Sequence, residues 1–206
     1  MSERSRESYG QHGVTRVDRF GIWLSQRAIR RRLPAGHGLE VLELGCGYRA
    51  TQLLALRDRI GHGTGVDFQI APELHQTEGY TFYEGPIEAT LPKLEPGAFD
   101  VILLISVLEH LREPQAGLES AWQLLRPGGM LLINVPTWRG KTFLELSAFR
   151  LGLSPNTEMD DHKMYYDKRD LWPLLTRAGF RPSEIRLDYH KFRLNLFAVA
   201  TRSQDG

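Results

Sequence analysis

The stretch 39-LEVLELGCGYRA-50 decides how the rest of the chain is read. Leu39–Leu44 is an apolar run short enough to be a buried strand, and it runs directly into glycines. Gly45-Cys46-Gly47-Tyr48-Arg49-Ala50 fits G-x-G-x-x-A, a turn that lets ligand atoms approach the backbone. Many turns match that pattern by chance. Glu43, two residues before the first glycine, narrows the choice of ligand. A dinucleotide would set two negative phosphates at this turn and at the helix N-terminus behind it. A carboxylate there would repel them by several kcal/mol at an effective dielectric of about 20. S-adenosylmethionine carries no phosphate. Its sulfonium and ammonium groups would be attracted by the carboxylate.

Working outward, strands and helices alternate. Val14–Leu33 reads as a helix with an apolar stripe among arginines, broken by Pro34, Gly36 and Gly38. After the glycine turn come a short helix at Thr51–Arg59, stopped by Gly61 and Gly63, and a short strand ending Gly65-Val66-Asp67. Tyr80–Glu84 reads as a strand. Phe99–Ile105 is almost purely apolar, as suits a sheet covered on both faces. Pro114–Leu125 is a helix with proline in its favoured first turn. Arg126–Gly129 reads as a turn, Met130–Val135 as a buried strand, and Asp167–Ala178 as a helix. Glu184–Tyr189 and Phe192–Thr201 close the chain as strands. This is the pattern of a doubly wound α/β sheet, whose ligands lie at the C-terminal ends of the strands. Those ends are Glu43–Gly47, Asp67–Phe68, Glu84–Pro86, Ser106–His110 and Val135–Trp138. Asp67, twenty residues after Gly47, is placed to hold ribose hydroxyls, and Phe68 to lie against an adenine face.

Composition bounds the rest. The 206 residues are 41% hydrophobic and 25% charged, enough apolar material for one sizeable core. A net charge of +1 gives no global bias toward nucleic acid, although Arg27, Arg30, Arg31 and Arg32 form a local basic cluster. The single cysteine, Cys46, excludes an internal disulfide and fits a reducing compartment. The N-terminal residues 1–13 are polar, read as mobile, and show no apolar signal core. The longest apolar runs, Val101–Ile105 and Met130–Ile133, fall far short of the ~20 residues that span a bilayer. The sequence therefore predicts a soluble, cytoplasmic protein.

Four motifs now form a resemblance. Val41–Gly47 resembles the first motif of the class I S-adenosylmethionine-dependent methyltransferases, and Gly65-Val66-Asp67 resembles their second-strand acid. Phe99–Ile102 running to Ser106-Val107-Leu108-Glu109-His110-Leu111 resembles the fourth-strand motif. Leu124–Ile133, with its Arg-Pro-Gly-Gly, resembles the fifth. They occur in the family's order across residues 39–136, and Arg177–Phe180 resembles its late helix-to-strand turn. The flavour is that of small-molecule enzymes such as those of quinone biosynthesis. The resemblance implies a Rossmann-like seven-stranded sheet, mostly parallel with an antiparallel last strand. It implies S-adenosyl-L-methionine as cofactor: Gly45, Cys46 and Gly47 approach its methionine part, Glu43 its amino end, and Asp67 its ribose.

Two features depart from the family. At the third strand end an aspartate often follows glycine to meet the adenine; here Gly85 is followed by Pro86, Ile87 and Glu88, so a backbone contact from Ile87 or the Glu88 side chain takes that place. Quinone O-methyltransferases can carry a Glu-x-x-Glu-His metal cluster. Here Ser106 stands at the first acid, leaving Glu109 and His110, and serine is a poor ligand for a hard cation. No metal is expected, and Ser106 is instead counted with the cofactor contacts.

Methyl transfer needs alignment, and a base where the acceptor is a hydroxyl. His110 is the first candidate by position and His162 the second; His190 has the weakest case. Residues 137–166 are too long for an ordinary connection. With Trp138, Phe143, Phe149, Tyr165 and Tyr166, and a helix-like stretch from Lys141 to Leu151, they are expected to form an acceptor-site insertion or lid. Residues 1–38 are expected to form an N-terminal helical cap on the 39–206 methyltransferase domain. The expected activity is methylation of a small-molecule, saccharide or lipid-type acceptor. The alternatives are an RNA or protein methyltransferase, supported only by the arginine cluster, and a cofactor-binding regulator without catalysis.

Overall fold

The computed structural model describes residues 8–11, 13, 15–140 and 164–204. The elements are α1 (Arg16–Arg30), β1 (Leu39–Leu44), α2 (Thr51–Leu54), β2 (Ile60–Asp67), β3 (Tyr80–Glu84), α3 (Ile87–Thr90), β4 (Phe99–Ile105), α4 (Pro114–Leu124), β5 (Leu125–Pro136), α5 (Lys168–Arg177), β6 (Ile185–His190) and β7 (Asn195–Thr201). The strands form one seven-stranded sheet in the order β3-β2-β1-β4-β5-β7-β6. The pairs from β3 through β5 are parallel, while β7 runs antiparallel between β5 and β6, as the resemblance implies. Chain order departs in both directions from the central β1–β4 pair, so the crevice for a ligand opens at their C-terminal ends.

Strand alternation feeds two cores. Leu42, Ile102, Leu131 and Ile133 face α4 and α5 through Leu118, Ala121, Leu171 and Leu175. Val41, Leu103, Leu132 and Phe197 face the other way, onto Ala28 and Ile29 of α1 and onto Leu53. Helix α1 starts at a capping box in which the Asp18 amide donates to Thr15 Oγ1 (3.2 Å) and the Thr15 amide to Asp18 Oδ2 (2.9 Å). Two arginines of the basic cluster are engaged within the fold: Arg30 of α1 grips Asp58 at 2.9 and 2.5 Å, and Arg32, just past the helix, stacks 4.6 Å over Phe197. At the N-terminal end of the sheet, the Glu40 amide donates to Asp100 at 2.9 Å and Arg126 pairs with the same carboxylate at 3.0 Å. That end ties the strands together and leaves the opposite end for a ligand.

Helix α1 ends at Arg30 rather than Leu33 and β7 starts at Asn195 rather than Phe192, and three further boundaries differ from the sequence-based expectation. Helix α2 stops at Leu54 rather than Arg59, because residues 55–59 tighten into turns such as Leu56 N–H to Leu53 C=O at 3.1 Å. Gly61 and Gly63 lie inside β2 instead of ending a helix. They are there for space: a Cβ on Gly61 would sit 2.9 Å from the Gly38 backbone, and one on Gly63 would sit 2.6 Å from the Tyr80 ring. The Arg126–Gly129 turn is absorbed into β5, which pairs Leu125 with Phe99 before a register break that Gly128, at φ 82°, accommodates. Among the described residues, no helix is long and apolar enough to cross a membrane.

Gly63→Ala should destabilise the fold by about 1–3 kcal/mol through overpacking against Tyr80. A lower urea midpoint at unchanged slope checks this, and Tyr80→Ala in the same chain should recover part of the loss.

Candidate active site

The glycine turn is held from below by two carboxylates. Gly45 and Cys46 donate their amides to Val66 C=O at 2.8 and 3.1 Å. Gly47 donates to Asp67 Oδ2 at 2.7 Å, and Phe68 to Asp67 Oδ1 at 2.8 Å. Glu43, only 1% exposed, accepts from the Leu53 amide of α2 at 3.0 Å. Tyr48 donates to Tyr9 C=O at 2.9 Å. The amides of residues 45–48 and 53 are thus all taken by internal acceptors. A pyrophosphate would have to displace these acceptors to reach the amides, so the arrangement adds to the argument from the sign of the Glu43 charge.

Burial pushes the Glu43 carboxyl well above the usual carboxylate range; the Leu53 amide opposes this, and nearby Asp67 adds to it. A cation arriving at the turn would restore the charged form. Cys46 is buried beside both acids, and its thiol is pushed up by burial and then by Glu43 and Asp67, so it is inert as a nucleophile. Glu43, Gly45, Cys46, Gly47 and Asp67 are therefore brought together. Phe68 follows at the rim, 38% exposed, and half-buried Ile87 begins α3 past the third strand.

The N-terminal residues are expected to be mobile, but Ser8 and Tyr9 are tied into the fold. Ser8 is buried, its hydroxyl donates to Asp67 Oδ1, and its oxygen accepts from the Gln69 amide at 2.7 Å. Together with Tyr9 it straps the glycine turn from above. Nothing in the composition of the first thirteen residues signals this; the contact exists because Asp67 offers a buried acceptor.

Ser106 ends β4 at φ 59°, donates its amide to Asn134 C=O at 2.7 Å, and is exposed. The left-handed turn brings Val107 over Gly45, where a Cβ would lie 2.3 Å from Val107 Cγ2. Beyond it Glu109 is buried and His110 exposed. Among the described residues, no three His, Cys, Asp or Glu side chains gather as a metal site. At the end of β5, exposed Trp138 meets buried Tyr165 with ring centroids 5.6 Å apart. His190 packs edge-on against Phe197, and burial, then Lys191 and Arg32, lower its pKa to about 4. His162, Phe143, Phe149 and the Lys141–Leu151 stretch lie outside the described residues.

Gly45→Ala should cost at least about 2 kcal/mol, from a left-handed φ of 73° and the clash with Val107. In a double-mutant cycle read by thermal unfolding, Val107→Ala should relieve part of that loss. Strict additivity would show that Val107 does not set the requirement for glycine.

Comparison with known proteins agrees with this geometry. The family model described as a methyltransferase domain matches residues 18–185. The ubiquinone biosynthesis O-methyltransferase of Pseudomonas aeruginosa (strain UCBPP-PA14) is 28% identical over 128 residues, covering 59% of this chain and 52% of that protein. The chain thus spans about half the length of the curated relatives it matches. Among solved structures, an S-adenosylmethionine-dependent methyltransferase from Archaeoglobus fulgidus superposes with a TM-score of 0.66 at 15% identity, covering 88% of this chain and 94% of that one. The [4+2]-cyclase SpnF superposes with a TM-score of 0.67 at 16% identity, covering 87% and 80%. Such neighbours share the fold, and the cyclase shows that the fold alone does not name a reaction. The match across residues 18–185, on a glycine turn backed by two carboxylates, places the chain in the S-adenosylmethionine-dependent methyltransferase family.

Proposed function

We propose that the chain methylates a small-molecule acceptor bound over the C-terminal ends of β4 and β5. The observation that carries this is the glycine turn whose amides are taken by Glu43, Asp67 and internal carbonyls, which suits a cationic, ribose-bearing ligand. S-adenosylmethionine supplies a methyl group on a positively charged sulfur, already primed for displacement. Asp67 holds the ribose hydroxyls, with Ser8 yielding or sharing its bond to the same carboxylate. Gly45 and Gly47 admit the methionine part, Glu43 lies on its positive side, Phe68 borders the adenine, and Ile87 takes over adenine contact through its backbone. Ser106 flanks the transferring group. The work of these residues is alignment and exclusion of water.

For the acceptor, the Trp138–Tyr165 ring pair beside the end of β5 suits a planar or apolar molecule. The O-methyltransferase role of the ubiquinone-biosynthesis relatives supports the same size class. A screen of small-molecule extracts with radiolabelled methyl donor, read by mass identification of the products, tests this reading. Label appearing only in RNA or protein would overturn it.

Binding of S-adenosylmethionine should release protons. A cation at the turn lowers the raised pKa of Glu43, so affinity should increase as pH rises toward the free-state value of that group. Calorimetry in two buffers of different ionisation enthalpy measures the release, and Glu43→Gln should abolish it. Asp67→Ala should weaken binding at least tenfold, about 1.4 kcal/mol. Tight NAD binding without an S-adenosylmethionine signal would contradict the whole assignment.

A further inference from the structure

A second group of buried polar atoms lies at the same end of the sheet, outside the cofactor turn. Glu109 stands just past β4 and is 1% exposed. Among the described residues, neither carboxylate oxygen has a hydrogen-bond partner on another residue. The charged or titratable groups that act on it are Lys191, from the β6–β7 turn, and Tyr166, ahead of α5. The Tyr166 hydroxyl is likewise buried without a hydrogen-bond partner among the described residues. A buried carboxylate with no partner costs several kcal/mol, so in a native fold it calls for an explanation.

The position of Lys191 is also built at a cost. Lys191, Phe192 and Arg193 have consecutive positive φ values of 48°, 58° and 68°. Three non-glycine residues in the left-handed region are held only where the surroundings over-determine them. Here Thr137 bolts the turn to the end of β5, its amide donating to Leu194 C=O and its hydroxyl to Arg193 C=O, both at 2.9 Å. Because β7 is antiparallel, this hairpin turn comes to the ligand-binding end of the sheet. Lys191 is folded inward, its Nζ 3.7 Å from where a Cβ on Gly21 of α1 would lie.

We infer that Glu109, rather than the exposed His110, is the base that takes a hydroxyl proton from the acceptor, and that Lys191 is its positioning partner. This rests on the small-molecule methyl-transfer reading above. As the acceptor oxygen bonds to the methyl carbon, the carbon–sulfur bond breaks with its electron pair going to sulfur, which becomes neutral. The hydroxyl proton goes to the Glu109 carboxylate, whose charged form Lys191 favours, and is given up to solvent after the methylated product leaves. Burial pushes Glu109 up to about 8, against the pull of its own amide and of Lys191; burial brings Lys191 down to about 8, with Glu109 opposing. A carboxyl raised toward working pH suits a base for a hydroxyl acceptor.

The test uses the full chain, radiolabelled S-adenosylmethionine and a small-molecule extract as acceptor source, from pH 6 to 9.5. Wild-type transfer should rise with pH through the titration of the pair and then level off. Glu109→Gln, an isosteric change, should cut transfer by about 10²–10⁴-fold while S-adenosylmethionine affinity by calorimetry stays within about twofold of wild type. Lys191→Met removes the stabilising cation, so it should move the pH midpoint upward by about one unit or more. Glu109→Gln transfer within about threefold of wild type would overturn the inference alone, and so would an unmoved Lys191→Met midpoint. Cofactor binding by the wild type without any small-molecule label would overturn the acceptor reading and this inference with it. If Glu109→Gln fails to fold, the Lys191→Met midpoint decides.

Discussion

Two strand-end carboxylates bonded to backbone amides are the constraint on which the site depends. Glu43 on Leu53 N–H and Asp67 on Gly47 N–H fix the glycine turn and the start of α2 to the ends of β1 and β2. In a dinucleotide site, phosphates would do that work from outside. Here the protein supplies its own anions and leaves the turn complementary to positive charge. Burial makes Glu43 costly to ionise alone, a cost that a cation at the turn would lower.

The two ends of the sheet divide the labour. At the N-terminal end, Asp100 ties Glu40 and Arg126 in fully satisfied polar contacts. At the other end lie Glu109, the Tyr166 hydroxyl, Asn134 Oδ1 and His190 Nε2, buried polar groups without a hydrogen-bond partner among the described residues. The positive-φ Ser106 and the left-handed 191–193 run lie there as well. Left-handed backbone and a buried carboxylate without a partner at the ligand-binding end both call for an explanation there.

Much of this was legible in the chain. The strands at Leu39–Leu44, Tyr80–Glu84 and Phe99–Ile105 match their predicted bounds, because an apolar run closed by glycine or a polar residue leaves little freedom. Glycine was legible only in part. Gly45 and Gly47 announce a turn, but Gly61 and Gly63 read as stops and are strand residues, since their reason is a neighbouring ring or backbone that local sequence does not contain. Among titratable groups, a histidine at a strand end draws attention through its ordinary pKa. Glu109 reads as part of a motif until burial changes its chemistry.

The sequence by itself determined the sheet class, the turn and the sign of the charge it accepts, because periodicity, glycine spacing and carboxylates adjacent to the turn are local properties. Only the tertiary structure decided that Ser8 reaches Asp67, that Val107 closes over Gly45, and that the charge of Lys191 acts on a buried Glu109. These partners are far apart in the chain. Their meeting is set by parallel register, by the antiparallel β7 and by which groups lose their water, and none of these is a property of any short stretch of residues.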